Sequence, residues 1–124
     1  MKQTYETGVS GEERAAEWLR KKHGMTTLEQ RYRTKAGEID LIMLDGDTIA
    51  FIEVKTRLSA SAGEGALAVD RRKQQRITNA SVLYLMKKGW QNRAVRYDVV
   101  EVRREEILYF PNAFQPGAGH LFYR

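Results

Sequence analysis

The chain has 124 residues, 42% hydrophobic and 30% charged, which is long enough and apolar enough for one domain spanning 1–124 with a core of its own. It has no cysteine, which excludes disulfides and thiolate metal sites. With 21 Lys and Arg against 16 Asp and Glu, the formal charge is +5, a balance that suits a polyanionic partner. The opening MKQTYETGVSGEERAAEW lacks the apolar core of a signal peptide, and no apolar run is long enough to span a bilayer. A cytoplasmic location with no membrane partner is the expectation.

In chain order, Ser10 followed by Glu13 fits a capping box opening the helix GEERAAEWLRKKHG. Ala15, Ala16 and Leu19 give that helix an apolar face, and Gly24 stops it. Leu28 to Arg33 reads as a half-polar strand near a sheet edge. Glu38 to Leu44 and Thr48 to Lys55 read as two central strands joined by Asp45-Gly46-Asp47. Leu58 to Leu67 is small, polar and glycine-rich and reads as a flexible loop, in which Gly63 and Gly65 allow movement over a duplex or equally reflect an unconstrained loop. A second helix follows, capped by Asp70, carrying Ile77, Ala80, Leu83 and Tyr84 as its apolar stripe and ending at Gly89. Strands at Arg93 to Val102 and Ile107 to Phe110 flank a charged turn. The chain then turns irregular from about Pro111, although Phe114, Leu121, Phe122 and Tyr123 are apolar enough to pack. The order α-β-β-β-α-β-β points to an α/β fold with a mixed sheet flanked by helices.

The central hairpin places charge where apolar residues are expected. Strand side chains alternate with period two, so Phe51, Glu53 and Lys55 share one face while Ala50, Ile52 and Val54 share the other. Glu38 and Asp40 lie on the face of Ile42 in the preceding strand. A four-residue connection sets Asp40 opposite Glu53; a two-residue one is expected to set Glu38 opposite Glu53, with Asp40 diagonal. Opposed like charges destabilise a sheet and raise one another's proton affinity, and a divalent cation removes that cost. Magnesium, with manganese as a substitute, suits Asp40, Glu53 and the Val54 backbone carbonyl, with Lys55 facing a phosphate. The plainer reading of EVK is a solvated strand face with an ion pair.

Arg71, Arg72, Lys73 and Arg76, together with Arg57, form a basic stretch suited to backbone phosphates, although charge runs are more often merely solvated. Trp18 and Trp90 are expected to pack rather than stack on bases. Arg96 and Asp98 share a strand face as a structural ion pair. His23 and His120 show no ligand spacing.

These segments together resemble the YraN family of small bacterial proteins, and through it the archaeal Holliday junction resolvases and the restriction-endonuclease-like, or PD-(D/E)xK, nucleases. The likeness runs from Gly8 to about Phe114. It is most specific over GEIDLIMLDGDTIAFIEVKTR and is supported by GVSGEERAAEWL, KQQRITNASVLYL, RYDVVEV and PNAF. The resemblance implies a restriction-endonuclease-like fold and phosphodiester hydrolysis on DNA, branched DNA included. Asp40, Glu53 and Lys55 then carry the chemistry. Glu12 completes the metal site, and Gln74 or Lys73 assists from the second helix. The proline of the family's first motif is replaced by Ile39. A homodimer would bring two sites to a symmetric junction. Two alternatives stand beside this reading: a nucleic-acid-binding or repair-associated interaction module that does not cut, and a nuclease acting on RNA.

Overall fold

The computed structural model describes residues 9–57 and 69–116, with side chains from Gly11 onward. The elements are α1 (Val9–His23), β1 (Thr26–Thr34), β2 (Gly37–Asp45), β3 (Thr48–Arg57), α2 (Arg71–Lys88), β4 (Ala94–Arg103) and β5 (Ile107–Phe110). Their order is the one the sequence implies. One five-stranded sheet runs β1-β2-β3-β4-β5, with the hairpin β2-β3 inside it and β1 at an edge. All neighbours are antiparallel except β3 and β4, which run parallel across the connection that contains α2. The sheet is therefore mixed and flanked by helices, the restriction-endonuclease-like arrangement. No described helix is long and apolar enough to cross a membrane.

Alternation along the strands builds two cores. Leu41, Met43, Ala50, Ile52, Val100 and Val102 meet Ala15, Ala16 and Leu19 of α1. Ile42, Ile49, Phe51, Tyr97 and Val99 meet Ile77, Ala80, Tyr84 and Leu85 of α2. Each fully buried Ile, Leu or Phe contributes about 1.5–3 kcal/mol, so β2 and β3 are held firmly from both sides. Phe114 stacks on Tyr97 at 5.3 Å, so the irregular stretch after β5 is tied to the α2-side core.

The caps divide. Asp70 Oδ1 accepts from the Lys73 N–H at 2.7 Å, and Gly24 and Gly89 end their helices in the left-handed region, as expected. Helix α1, however, begins at Val9, so Ser10 lies in its first turn rather than capping it. Gly37 has a specific steric reason: a Cβ there would stand 2.5 Å from the Arg76 carbonyl oxygen, so only glycine lets β2 pass so close to α2. The expected loop at Leu58 to Leu67 and the apolar tail residues Leu121, Phe122 and Tyr123, with His120, lie outside the described residues.

Candidate active site

The hairpin turn is Gly46-Asp47, closed by the pair Asp45↔Thr48. The ladder runs on to Leu41↔Ile52, so the next residues along it are Asp40 and Glu53. Of the two expected registers this is the one that sets Asp40, not Glu38, opposite Glu53, reached through a two-residue turn rather than a four-residue connection. Glu38 instead forms an exposed cross-strand pair with Arg33 at 3.1 Å.

At Asp40 the ladder opens. The Asp40 carboxylate takes the Val54 backbone N–H at 2.8 Å, filling the gap where β2 and β3 part. Alternation breaks at the same point, because Ile39 joins the α2-side core while Leu41 joins the α1-side core. On β1, the registered pairs skip Arg31, the residue facing Asp40, and Arg31 has φ 53°. A non-glycine residue held there costs about 1–3 kcal/mol, a strain the surrounding sheet sustains. The result is a notch in the sheet with an acidic floor.

Burial of the Asp40 carboxyl is the largest influence on it. The negative charge of Glu53 adds to this, the Val54 hydrogen bond works against it, and the more distant Glu12 charge adds again. Together they push the Asp40 pKa up to about 7. Glu53 is buried, and two ammonium groups approach the same oxygen, Oε2: Lys73 Nζ at 3.0 Å and Lys55 Nζ at 3.9 Å. Burial opposes the Lys73 charge, but the field of Glu53 and the hydrogen bond to it outweigh that and raise the Lys73 pKa.

The remaining expected site residues fall in different places. Glu12 reaches toward the notch from the first turn of α1, but Arg31 Nε holds its Oε1 at 2.9 Å. Among the described residues, no group of three or more His, Asp or Glu side chains is assembled to hold a metal. At Val54 it is the N–H that engages Asp40. Gln74 turns away: its amide donates to the Val69 carbonyl at 2.7 Å and lines a separate cavity of about 210 Å³ with Arg71, Gln75 and Thr78. Of the two helix residues expected near the site, Lys73 is the one at the carboxylates.

Arg71, Arg72 and Arg76 are exposed on the first turns of α2. Arg57 ends β3, and its Nε is buried with no hydrogen-bond partner among the described residues. Glu101, registered beside Lys55 on β4, likewise leaves Oε1 buried and unpartnered among them. The two tryptophans pack as expected. Trp18 meets His23 and Tyr109, and Trp90 lies edge-on to Tyr84 with Arg93 over its ring at 4.7 Å. Arg31 and Lys73 are what sequence reasoning misses or leaves open. Lys73 carries a signal in the basic run of α2; the left-handed backbone of Arg31 carries none.

The sequence pattern of the uncharacterised protein family UPF0102 matches residues 11–102. The chain is 44% identical to a UPF0102 protein of Alkaliphilus metalliredigens over 110 residues, covering 86% of this chain and 96% of that one. It is 47% identical to one of Syntrophus aciditrophicus over 102 residues, 82% and 80% of the two chains. A UPF0102 protein of Pseudomonas putida (strain W619) is 38% identical over 114 residues, 87% and 92% of the two chains.

Proposed function

The chain belongs to the uncharacterised protein family UPF0102, and within it we propose a magnesium-dependent nuclease acting on DNA, with its centre at the notch of Asp40, Glu53 and Lys55. The observation that carries this reading is the meeting of two carboxylates and two lysines where β2 and β3 part. The nuclease-like fold supports a nucleic-acid partner, and the +5 charge agrees with one.

The donor set fits a divalent cation. Asp40 and Glu53 offer hard oxygens, as magnesium requires, and burial followed by the Glu53 charge raises the Asp40 pKa, a cost that a bound cation would relieve. Glu12 adds its charge to Asp40 from further off and is held in its own pair with Arg31. When bound, the cation supplies Lewis-acid polarisation of a phosphoryl oxygen and a more acidic water.

The chain's own residues do the rest. Asp40 and Glu53 fix the cation's place because their strands are clamped between two cores. Lys55, only 19% exposed and loosely tied to Glu53, presents a positive charge to the phosphate as negative charge develops. Arg71, Arg72 and Arg76 hold the sugar–phosphate backbone from the positive end of α2.

The test is a magnesium and manganese titration of wild type and Asp40→Ala, read on labelled linear, single-stranded, flapped and four-way DNA and on structured RNA. Metal-dependent cleavage reduced about a hundredfold or more in the variant is expected. Cleavage confined to RNA overturns the DNA assignment. The second reading, a nucleic-acid-binding module that does not cut, is favoured by the absence of an assembled three-acid cluster among the described residues. It expects binding to branched DNA, unchanged by Asp40→Ala, with no cleavage.

A further inference from the structure

Lys55 and Lys73 converge on one oxygen of Glu53, but they are held differently. Lys55 lies on the same strand and face as Glu53, two residues along, with 19% of its side chain exposed, and it stands 3.9 Å off. Lys73 comes from the first turn of α2, is 50% exposed, and makes the closer contact at 3.0 Å. The Glu53 side chain is 6% exposed. A carboxylate so buried requires a cation beside it. The cation in hydrogen-bonding contact with it is Lys73.

We propose that Lys73 is a resident counter-ion. It holds the Glu53 carboxylate until a divalent cation binds, then gives it up and turns its ammonium to the substrate phosphate. The inference rests on the reading of the notch as a divalent-cation site.

The backbone at Lys73 stays fixed in the exchange, because its N–H is bound to the Asp70 cap at 2.7 Å. Only the stem has to move, and a lysine carries its charge on four flexible methylenes. Half of that side chain already faces solvent, so it has room to leave. Released, it joins Arg71 and Arg72 on the exposed start of α2, where the proposed phosphate contacts are. Lys55 cannot exchange in this way, since strand geometry keeps it within reach of Glu53. The two lysines thus differ in what metal binding does to them. Lys55 stays, and Lys73 departs.

The test is trace acylation of lysine amines in the full chain at pH 8.5, with and without Mg²⁺. Mass spectrometry reads Lys73 against the exposed Lys87, and calorimetry follows Mg²⁺ on the same samples. Mg²⁺ is expected to raise Lys73 labelling about fivefold, the scale of a half-exposed ion pair, with Lys87 unchanged and the effect lost in Asp40→Asn. Lys73→Met should bind Mg²⁺ about fivefold more tightly than wild type, and Lys73→Arg should restore wild-type affinity. Normal Mg²⁺ binding with unchanged Lys73 labelling overturns the counter-ion role and leaves the cation site standing. Absence of Mg²⁺ binding in both wild type and Lys73→Met overturns the site reading, and this role with it.

Discussion

Two buried carboxylates sit one register step apart on opposite faces of the sheet, and they are treated differently. Asp98 is fully buried on the α1 side, level with Ile52. It accepts from Arg96 Nε at 3.0 and 3.2 Å, from the Tyr109 hydroxyl at 2.7 Å and from the Asn112 N–H at 2.8 Å. Arg96 also reaches Asp45 at 3.0 Å. Burial works against the Arg96 charge, but the hydrogen bond and charge of Asp98 outweigh it and fasten its proton. Burial, then Asp98, pushes the Tyr109 phenol above its usual range. Glu53, at the next register step, has two lysines on a single oxygen, and neighbouring Asp40 has one backbone donor and a raised pKa. A carboxylate with all its acceptor sites used fastens β4 to β5 and to the turn after it. A carboxylate pair whose oxygens are only partly engaged has capacity to bind something else.

Breaking the satisfied network should have the largest effect on stability. Asp98→Ala leaves the Tyr109 hydroxyl and the Asn112 N–H without their acceptor and Arg96 with only Asp45 as a carboxylate partner, a loss of about 3 kcal/mol. The expected Tm falls by about 12 °C in thermal unfolding, and Mg²⁺ does not restore it. Folded Asp98→Ala should still gain the same Tm increment from Mg²⁺ as wild type. Loss of that increment would mean that the two regions are coupled rather than separate.

The opposite sign is expected at the notch. The Asp40 pKa is about 7 in the folded chain against an ordinary 3.8. Between those values the folded chain keeps a proton that the unfolded chain has lost, so stability falls as pH rises through that window. Asp40→Asn still accepts the Val54 N–H and cannot ionise. With partial exposure discounted, it should be about 1 kcal/mol more stable than wild type in metal-free buffer at pH 8, or about 5 °C in Tm. The difference should vanish near pH 4. Equal melting of the two proteins at both pH values would remove the argument that Asp40 is held under electrostatic stress.

Much of this contrast is legible in the sequence, for reasons that also explain what is not. Period-two alternation and the Gly46-Asp47 turn identify the hairpin, and the Arg96/Asp98 spacing identifies the ion pair. The acidic-x-lysine strand leads to Glu53 and Lys55. The register stays open between Asp40 and Glu38 opposite Glu53, because Asp45, Gly46 and Asp47 are all good turn residues and only packing on both faces selects Asp45↔Thr48 and with it Asp40. The engagement of Glu12 by Arg31 depends on a left-handed residue in an edge strand, which no local propensity encodes. Gln74 and Lys73 are adjacent on α2, and which of them faces Glu53 is set by how the helix is rotated against the sheet, a tertiary quantity. Ser10 fits a cap by composition, but the helix begins at Val9 and already includes it.

The arginines sharpen the same comparison with the smallest effect. Arg96 is spent on Asp98 and Asp45, whereas Arg71 and Arg72 are exposed at the start of α2. Arg71→Gln with Arg72→Gln should leave stability within about 0.5 kcal/mol of wild type, as exposed substitutions do. If both side chains neutralise phosphates, the slope of log Kobs against log[salt] for duplex DNA should become shallower by about 1.8, from roughly 0.9 per contact. The loss of affinity should be largest at low salt and shrink as salt rises, since released counterions carry the effect. An unchanged slope with unchanged Tm would make the start of α2 a solvated face and move the phosphate contacts elsewhere. Arg96→Gln is the matched control. It should lower Tm and leave the slope alone, because a guanidinium already engaged by two carboxylates neutralises no phosphate and releases no counterion.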